Sequence, residues 1–107
     1  MQILTIKQLE EYHASRKELL LVERQMMAMG EESHQTPRLK ERLEKLTAEL
    51  DMVNDYIDSL DDSLSRQLIT LRYVEGMTRK DVGAFVGLSE VQAGRRIKSL
   101  LSVLPDS

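Results

Sequence analysis

The sequence predicts an all-α protein in which an N-terminal antiparallel helical hairpin, coiled-coil-like in its pattern, precedes a C-terminal helix-turn-helix domain. A leucine-rich heptad runs through residues 39–64, and apolar residues at helical spacing precede it. Residues 68–104 then show two short amphipathic stretches joined by the turn Gly-Leu-Ser. No stretch has the alternation typical of a β-strand. We expect the hairpin to occupy residues 1–62 and the helix-turn-helix domain residues 63–107.

The first two helices are predicted from their apolar spacing. Residues 5–29 contain no Gly or Pro before Gly30, which is expected to end the first helix, and a polar loop should follow up to Pro37. The second helix begins near Pro37 and carries a regular seam, spaced alternately four and three residues. We expect this seam to mediate oligomerisation, as a hairpin that pairs with a second hairpin in a homodimer; its members are Leu39, Leu43, Leu46, Leu50, Val53, Ile57 and Leu60.

The heptad fails after Leu64, and the residues just before it are good N-caps, so we expect a break there and a third helix over residues 63–75. Gly76 is expected to end this helix.

The helix-turn-helix motif follows directly. Thr78 is predicted to cap a helix over residues 79–86, Gly87 to take the left-handed turn conformation, and Ser89 to cap a last helix that stops before Pro105. Gly83 should let the two motif helices approach closely.

Charge is divided unevenly along the chain. The 107 residues have a net charge of -3, but residues 1–65 hold 8 basic and 14 acidic side chains, whereas residues 66–107 hold 7 basic and 4 acidic. The basic excess therefore lies in the helix-turn-helix part, with the sign that neutralises phosphates. Cysteine is absent, the N-terminal apolar run is too short for a signal sequence, and no segment approaches the ~18 apolar residues of a membrane span, so we expect a cytoplasmic protein with no membrane partner.

The exposed face of the last helix carries side chains suited to double-stranded DNA. Arg and Gln are the types that read guanine and adenine edges in the major groove. His13 and His34 lie on different elements and no nucleophile, base and orienting group converge, so neither an enzyme, a metal site nor a cofactor is expected.

The run LRYVEGMTRKDVGAFVGLSEVQAGRRIKSLL resembles region 4 of bacterial sigma factors. Together with the preceding DYIDSLDDSLSRQLITLRYVEGMT and the helical N-terminal half, it is similar to small phage and prophage transcriptional regulators of the RinA and ArpU kind. The resemblance covers residues 50–104 well and the hairpin only in outline. It implies sequence-specific binding at phage or prophage promoters in a bacterial host, and a contact with host RNA polymerase.

The resemblance also implies roles for individual positions. The base-reading face falls on Glu90, Val91, Gln92 and Arg95, and the phosphate contacts fall on Thr78, Arg79, Lys80, Arg96 and Lys98. The chain departs from the family at Ala93, where a larger aliphatic residue is usual, and at Gly94, which costs roughly 1 kcal/mol relative to Ala inside a helix.

Two other functions fit the pattern. The chain could be a helical adaptor that binds RNA polymerase or another phage protein through its acidic N-terminal half. It could also be a small subunit of a DNA-packaging machine, although there the DNA-binding part more often comes first.

Overall fold

The computed structural model describes residues 3–29 and 36–106. The helices are α1 (Ile6–Met29), α2 (Thr36–Ser59), α3 (Ser63–Ile69), α4 (Arg79–Val86) and α5 (Glu90–Leu101), and α3 continues into the π-helical turn Thr70–Val74. These two ranges contain no strand, which confirms the all-α prediction. The predicted helix end at Gly30, the loop after it and His34 lie outside the described residues. No described helix is both long enough and apolar enough to cross a membrane.

The backbone amides in the first turn of α1 are hydrogen-bonded by residues at the helix start and by the segment after α5. The Thr5 hydroxyl accepts a hydrogen bond from the Gln8 amide at 3.1 Å, and the Gln8 side chain accepts one from the Thr5 amide at 3.0 Å. The next two amides, of Ile6 and Lys7, donate to the carbonyls of Pro105 and Asp106 at 2.8 and 3.1 Å. The amides that a helix start normally leaves unpaired are thus satisfied, and the segment after α5 is fastened beside α1.

The heptad seam of α2 packs against α1 within the same chain. Leu46, Leu50, Val53 and Ile57 are only 1% to 9% exposed, and the other three seam residues, Leu39, Leu43 and Leu60, are half-buried. The hairpin prediction is therefore confirmed. The expected oligomerisation role of the seam stays a prediction; within the single chain the side chains buried against α1 leave little apolar surface there for a second copy.

The predicted break after α2 lies at residues 60–62. Asp62 caps α3, since its carboxylate accepts from the Ser65 amide at 2.9 Å and from the Ser65 hydroxyl at 2.7 Å. These hydrogen bonds favour the charged form and lower the pKa of Asp62 below its ordinary 3.8. Arg66 donates to the carbonyl of Leu60 at 2.7 Å and ties the bend to the helix that follows.

The sequence predicted a third helix over residues 63–75, but the structure does not continue as a regular α-helix to residue 75. After Ile69 the turn widens, and the Glu75 amide donates to the carbonyl of Thr70, five residues earlier, at 3.0 Å. This wider turn lets residues 68, 69 and 73 all enter the core. A regular helix, at 100° per residue, would place residues 68 and 73 further apart around its axis. Gly76 ends the segment with φ +73°, as expected.

One core joins the hairpin to the helix-turn-helix. Its buried members come from α1, α2, α3 with its π-turn, α4 and α5; those of 1% exposure or less are Leu9, Val53, Leu68, Ile69, Val82, Ala93 and Ile97. The proposed domain boundary after residue 62 stays a prediction, and it coincides with the N-cap of α3. Since the core is continuous across it, the hairpin is a support against which the motif is packed.

Candidate nucleic-acid interface

The turn between α4 and α5 has the geometry that the sequence predicted. Gly87 adopts φ +81° and ψ +27°, the left-handed conformation, and the Leu88 amide donates to the carbonyl of Gly83 at 2.8 Å. A Cβ on Gly83 would lie 2.6 Å from the Leu88 carbonyl oxygen. The backbone of the turn therefore passes so close to α4 that only glycine fits at residue 83.

Thr78 and Ser89 cap the two motif helices, which confirms both cap predictions. The Thr78 hydroxyl accepts from the Asp81 amide at 3.2 Å. At α5, the Ser89 hydroxyl accepts from the Gln92 amide at 3.1 Å, and the Gln92 side-chain oxygen accepts from the Ser89 amide at 3.0 Å. This reciprocal pair is a capping box. Its Ser-x-x-Gln signature is visible in the sequence, and could have been found there.

The capping box narrows the role predicted for Gln92. A glutamine that reads adenine uses its side-chain oxygen and nitrogen together. One lone pair of the oxygen already accepts from the Ser89 amide, so the second lone pair and the side-chain NH₂ group remain while the cap is closed. Bidentate base reading by Gln92 would have to share this oxygen between the cap and the base.

Three predicted basic residues come together on one open surface. Arg79 from α4 and Arg95 and Lys98 from α5 line a depression of about 350 Å³, together with Glu90, Val91 and Gly94. We call this surface the basic depression. Val91 is 62% exposed there, and the opposite side of α5 is anchored by Ala93 and Ile97 in the core.

Gly94 contributes to the shape of the basic depression. A Cβ built on it would lie 3.5 Å from Cδ of Arg79, an ordinary van der Waals distance. The Arg79 side chain thus passes over α5 at this glycine, so that α4 and α5 both present cations to the same place. Gly94 does not disrupt the helix, which continues to Leu101 rather than to the predicted residue 104.

The remaining predicted contacts do not line the basic depression. Thr78 and Lys80 are exposed at the start of α4, and Gln92 and Arg96 are exposed on α5. At 100° per residue, Arg96 lies about 100° around α5 from Arg95 and further still from Lys98. Arg95 therefore occupies a central position on the exposed face, and Arg96 an edge.

The motif is joined to the hairpin by a cluster that sequence reasoning did not find. A ring nitrogen of His13, Nδ1, lies 3.0 Å from the Val74 carbonyl oxygen, and a Cβ on Gly76 would come within 3.0 Å of the same ring. Arg72 stacks over Tyr73 at 5.7 Å from the ring centre and donates to the Met77 carbonyl at 2.9 Å. Burial of Tyr73 raises the pKa of its hydroxyl.

Among the described residues, no three His, Asp or Glu side chains converge as metal ligands. The chain matches no family model, and comparison with curated proteins and with solved structures likewise finds no match. The case for a function therefore depends on the geometry of the chain itself.

Proposed function

We propose that the chain is a DNA-binding transcriptional regulator that inserts α5 into a major groove. The observation that carries this proposal is the basic depression, where two helices place Arg79, Arg95 and Lys98 around one exposed face of a capped, core-anchored helix. An arginine on such a face can bind guanine through two hydrogen bonds. Neighbouring cations supply the phosphate contacts that dominate affinity and make it depend on salt.

Charge distribution supports the same proposal. The chain is acidic overall, with a net charge of -3, yet its basic excess lies in residues 66–107. An acidic hairpin is repelled by the DNA backbone, so α5 and the start of α4 are the parts that DNA would attract. The resemblance noted above extends the proposal to phage or prophage promoters, to a homodimer formed through the N-terminal helices, and to contact with host RNA polymerase.

The test begins with selection of duplexes from a random library, followed by anisotropy titration of the enriched site between about 50 and 200 mM salt. Arg95→Ala should weaken binding of the selected site by about 1–3 kcal/mol and relax the preference for one base. Lys98→Ala should weaken all sequences alike and lower the salt slope by about 1.

Arg38→Ala is the matched control, because Arg38 is an exposed arginine of the hairpin outside the basic depression. It should bind as wild type does. No enriched sequence, or equal loss in Arg38→Ala and Arg95→Ala, would show that α5 does not read DNA.

A helical adaptor is the second candidate, favoured by the acidic outer side of α2. Asp51, Asp55 and Asp58 are exposed there, on the side away from the seam. Changing all three to Asn would abolish capture of a basic partner protein and leave DNA binding intact if the adaptor function holds. Polar substitutions at Leu46 or Leu50 are unsuitable for this test, because both side chains are part of the buried seam.

A further inference from the structure

The outer face of α1 carries an exposed, self-complementary pattern. Leu20 is 55% exposed and Met27 is 85% exposed, and between them Glu23 and Arg24 are also exposed. At 100° per residue these four side chains fall within about 100° of the helix surface, on the side opposite the buried Val22. We call these four residues the outer face of α1. Neither Glu23 nor Arg24 forms an ion pair with another described residue.

A second copy of α1 laid antiparallel on this face would match it. If Leu20 faces Met27 of the second copy, the two-fold axis passes between residues 23 and 24. Glu23 then faces Arg24 of the second copy, and the reverse pair forms by symmetry. Two apolar contacts would flank two ion pairs, each between a glutamate of one copy and an arginine of the other. A parallel arrangement would instead place each charge beside an identical charge.

We propose that the chain forms a two-fold antiparallel homodimer through the outer face of α1, and not through the heptad seam of α2. The proposal names the surface of the dimer expected of the regulator proposed above, but it depends on α1 alone and is tested without DNA. Its failure would therefore leave the DNA-binding proposal standing.

The arrangement sets the distance along α1 between the two His13 residues, where each hairpin contacts its own motif. His13, which contacts the entrance to the motif, is ten to eleven residues from the axis between Glu23 and Arg24. At ~1.5 Å per residue this is about 16 Å, so the two His13 positions lie about 32 Å apart along the helices. Two half-sites one turn of DNA apart are separated by about 34–36 Å. The two His13 contacts would thus be about as far apart along the helices as two half-sites one turn of DNA apart.

Cysteine cross-linking tests the register, because the chain has no cysteine of its own. Leu20→Cys mixed with Met27→Cys should give a disulfide-linked heterodimer under mild oxidation. Leu20→Cys alone should not. The Cα atoms of residue 20 in the two copies would be offset by about seven residues, or ~10 Å, along the helices, and a disulfide spans at most ~7 Å between Cα atoms. Efficient cross-linking of Leu20→Cys with itself would overturn the antiparallel register.

Charge exchange tests the surface by sedimentation equilibrium on the full chain. Glu23→Arg alone and Arg24→Glu alone should each weaken the dimer about tenfold, because each places like charges opposite one another at both symmetric pairs. Mixing the two variants should restore it as a heterodimer. Leu20→Glu should also weaken the dimer, whereas Leu21→Glu, at a comparably exposed leucine about 100° further round, should not.

A wild-type chain that stays monomeric, or a dimer unaffected by Glu23→Arg and Arg24→Glu, would overturn the proposal. Circular dichroism of each variant would show that α1 is still helical. All substituted side chains are exposed in the single chain, so a loss of association with helicity retained can be assigned to the interface.

Discussion

Two glycines of the motif, Gly83 in α4 and Gly94 in α5, should respond in opposite directions to replacement by alanine. At an interior helical position, alanine is more favourable than glycine by roughly 1 kcal/mol. Both variants therefore gain the same amount from helix propensity. What differs is the space around the added methyl group. At residue 83 it would lie 2.6 Å from the Leu88 carbonyl oxygen, and at residue 94 it would lie 3.5 Å from Cδ of Arg79.

These distances set the magnitudes. At Gly94 the new contact is an ordinary one with a flexible side chain, so Gly94→Ala should raise the free energy of unfolding by about 0.5–1 kcal/mol. At Gly83 the methyl group would collide with backbone in the turn itself, where overpacking typically costs about 1–3 kcal/mol and occasionally more. The collision would also push apart Gly83 and Leu88, whose 2.8 Å hydrogen bond closes the turn. We expect Gly83→Ala to lower stability by about 2 kcal/mol net.

Urea unfolding followed by far-ultraviolet circular dichroism measures both values at one protein concentration, which matters if the chain dimerises. In thermal melts, each kcal/mol corresponds to about 4 °C or more for a chain of this size. A Gly83→Ala variant as stable as wild type would refute the close approach of the two motif helices. A destabilised Gly94→Ala variant would refute the open environment of Gly94 beneath Arg79.

Three further predictions concern caps and hydrogen bonds. Ser89→Ala should lower stability by about 1 kcal/mol in urea unfolding through loss of the capping box, whereas Ser99→Ala, an exposed serine within α5, should change it by less than about 0.5 kcal/mol. Tyr56→Phe should cost about 1 kcal/mol, because the Tyr56 hydroxyl donates to a carbonyl of α5 at 3.2 Å. Asp62 has a pKa lowered by its bonds to Ser65, so it stabilises the fold above its ordinary pKa of 3.8, and the stabilisation disappears as pH falls through its lower folded value. Urea midpoints measured from neutral pH down to below that value should therefore decline less in Asp62→Asn than in wild type.

The local features of the fold were readable from the sequence because each depends on a few adjacent residues. Thr78 and Ser89 lie at the positions where the two motif helices begin, and Gly87 takes a backbone conformation that other residues avoid. The capping box of Ser89 and Gln92 also depends on neighbouring residues, so it too can be recognised in the sequence. The basic depression cannot be recognised from neighbouring residues alone, since it depends on Arg79 crossing over Gly94, a contact between two helices.

The features that the sequence could not predict are long-range. Nothing near Pro105 or Asp106 signals that their carbonyls accept from the amides of Ile6 and Lys7. The π-helical turn after Ile69 likewise has no local signature, because it follows from fitting Leu68 and Tyr73 into one core. The heptad does not identify its partner for a related reason: an apolar seam predicts that something covers it, and its spacing does not say whether that partner is in the same chain.

The contacts between the hairpin and α5 have a consequence for how a dimer would bind DNA. The Tyr56 hydroxyl of α2 donates to the Leu100 carbonyl near the end of α5, and the chain beyond α5 is hydrogen-bonded to the start of α1. At the other side, His13 of α1 contacts the turn that leads into α4. Since α1 is thus connected to both ends of the motif, pairing through its outer face would fix the two α5 helices relative to each other. Half-site spacing would then be fixed by the dimer, and a duplex whose half-sites are moved apart by half a turn should bind as weakly as a single half-site.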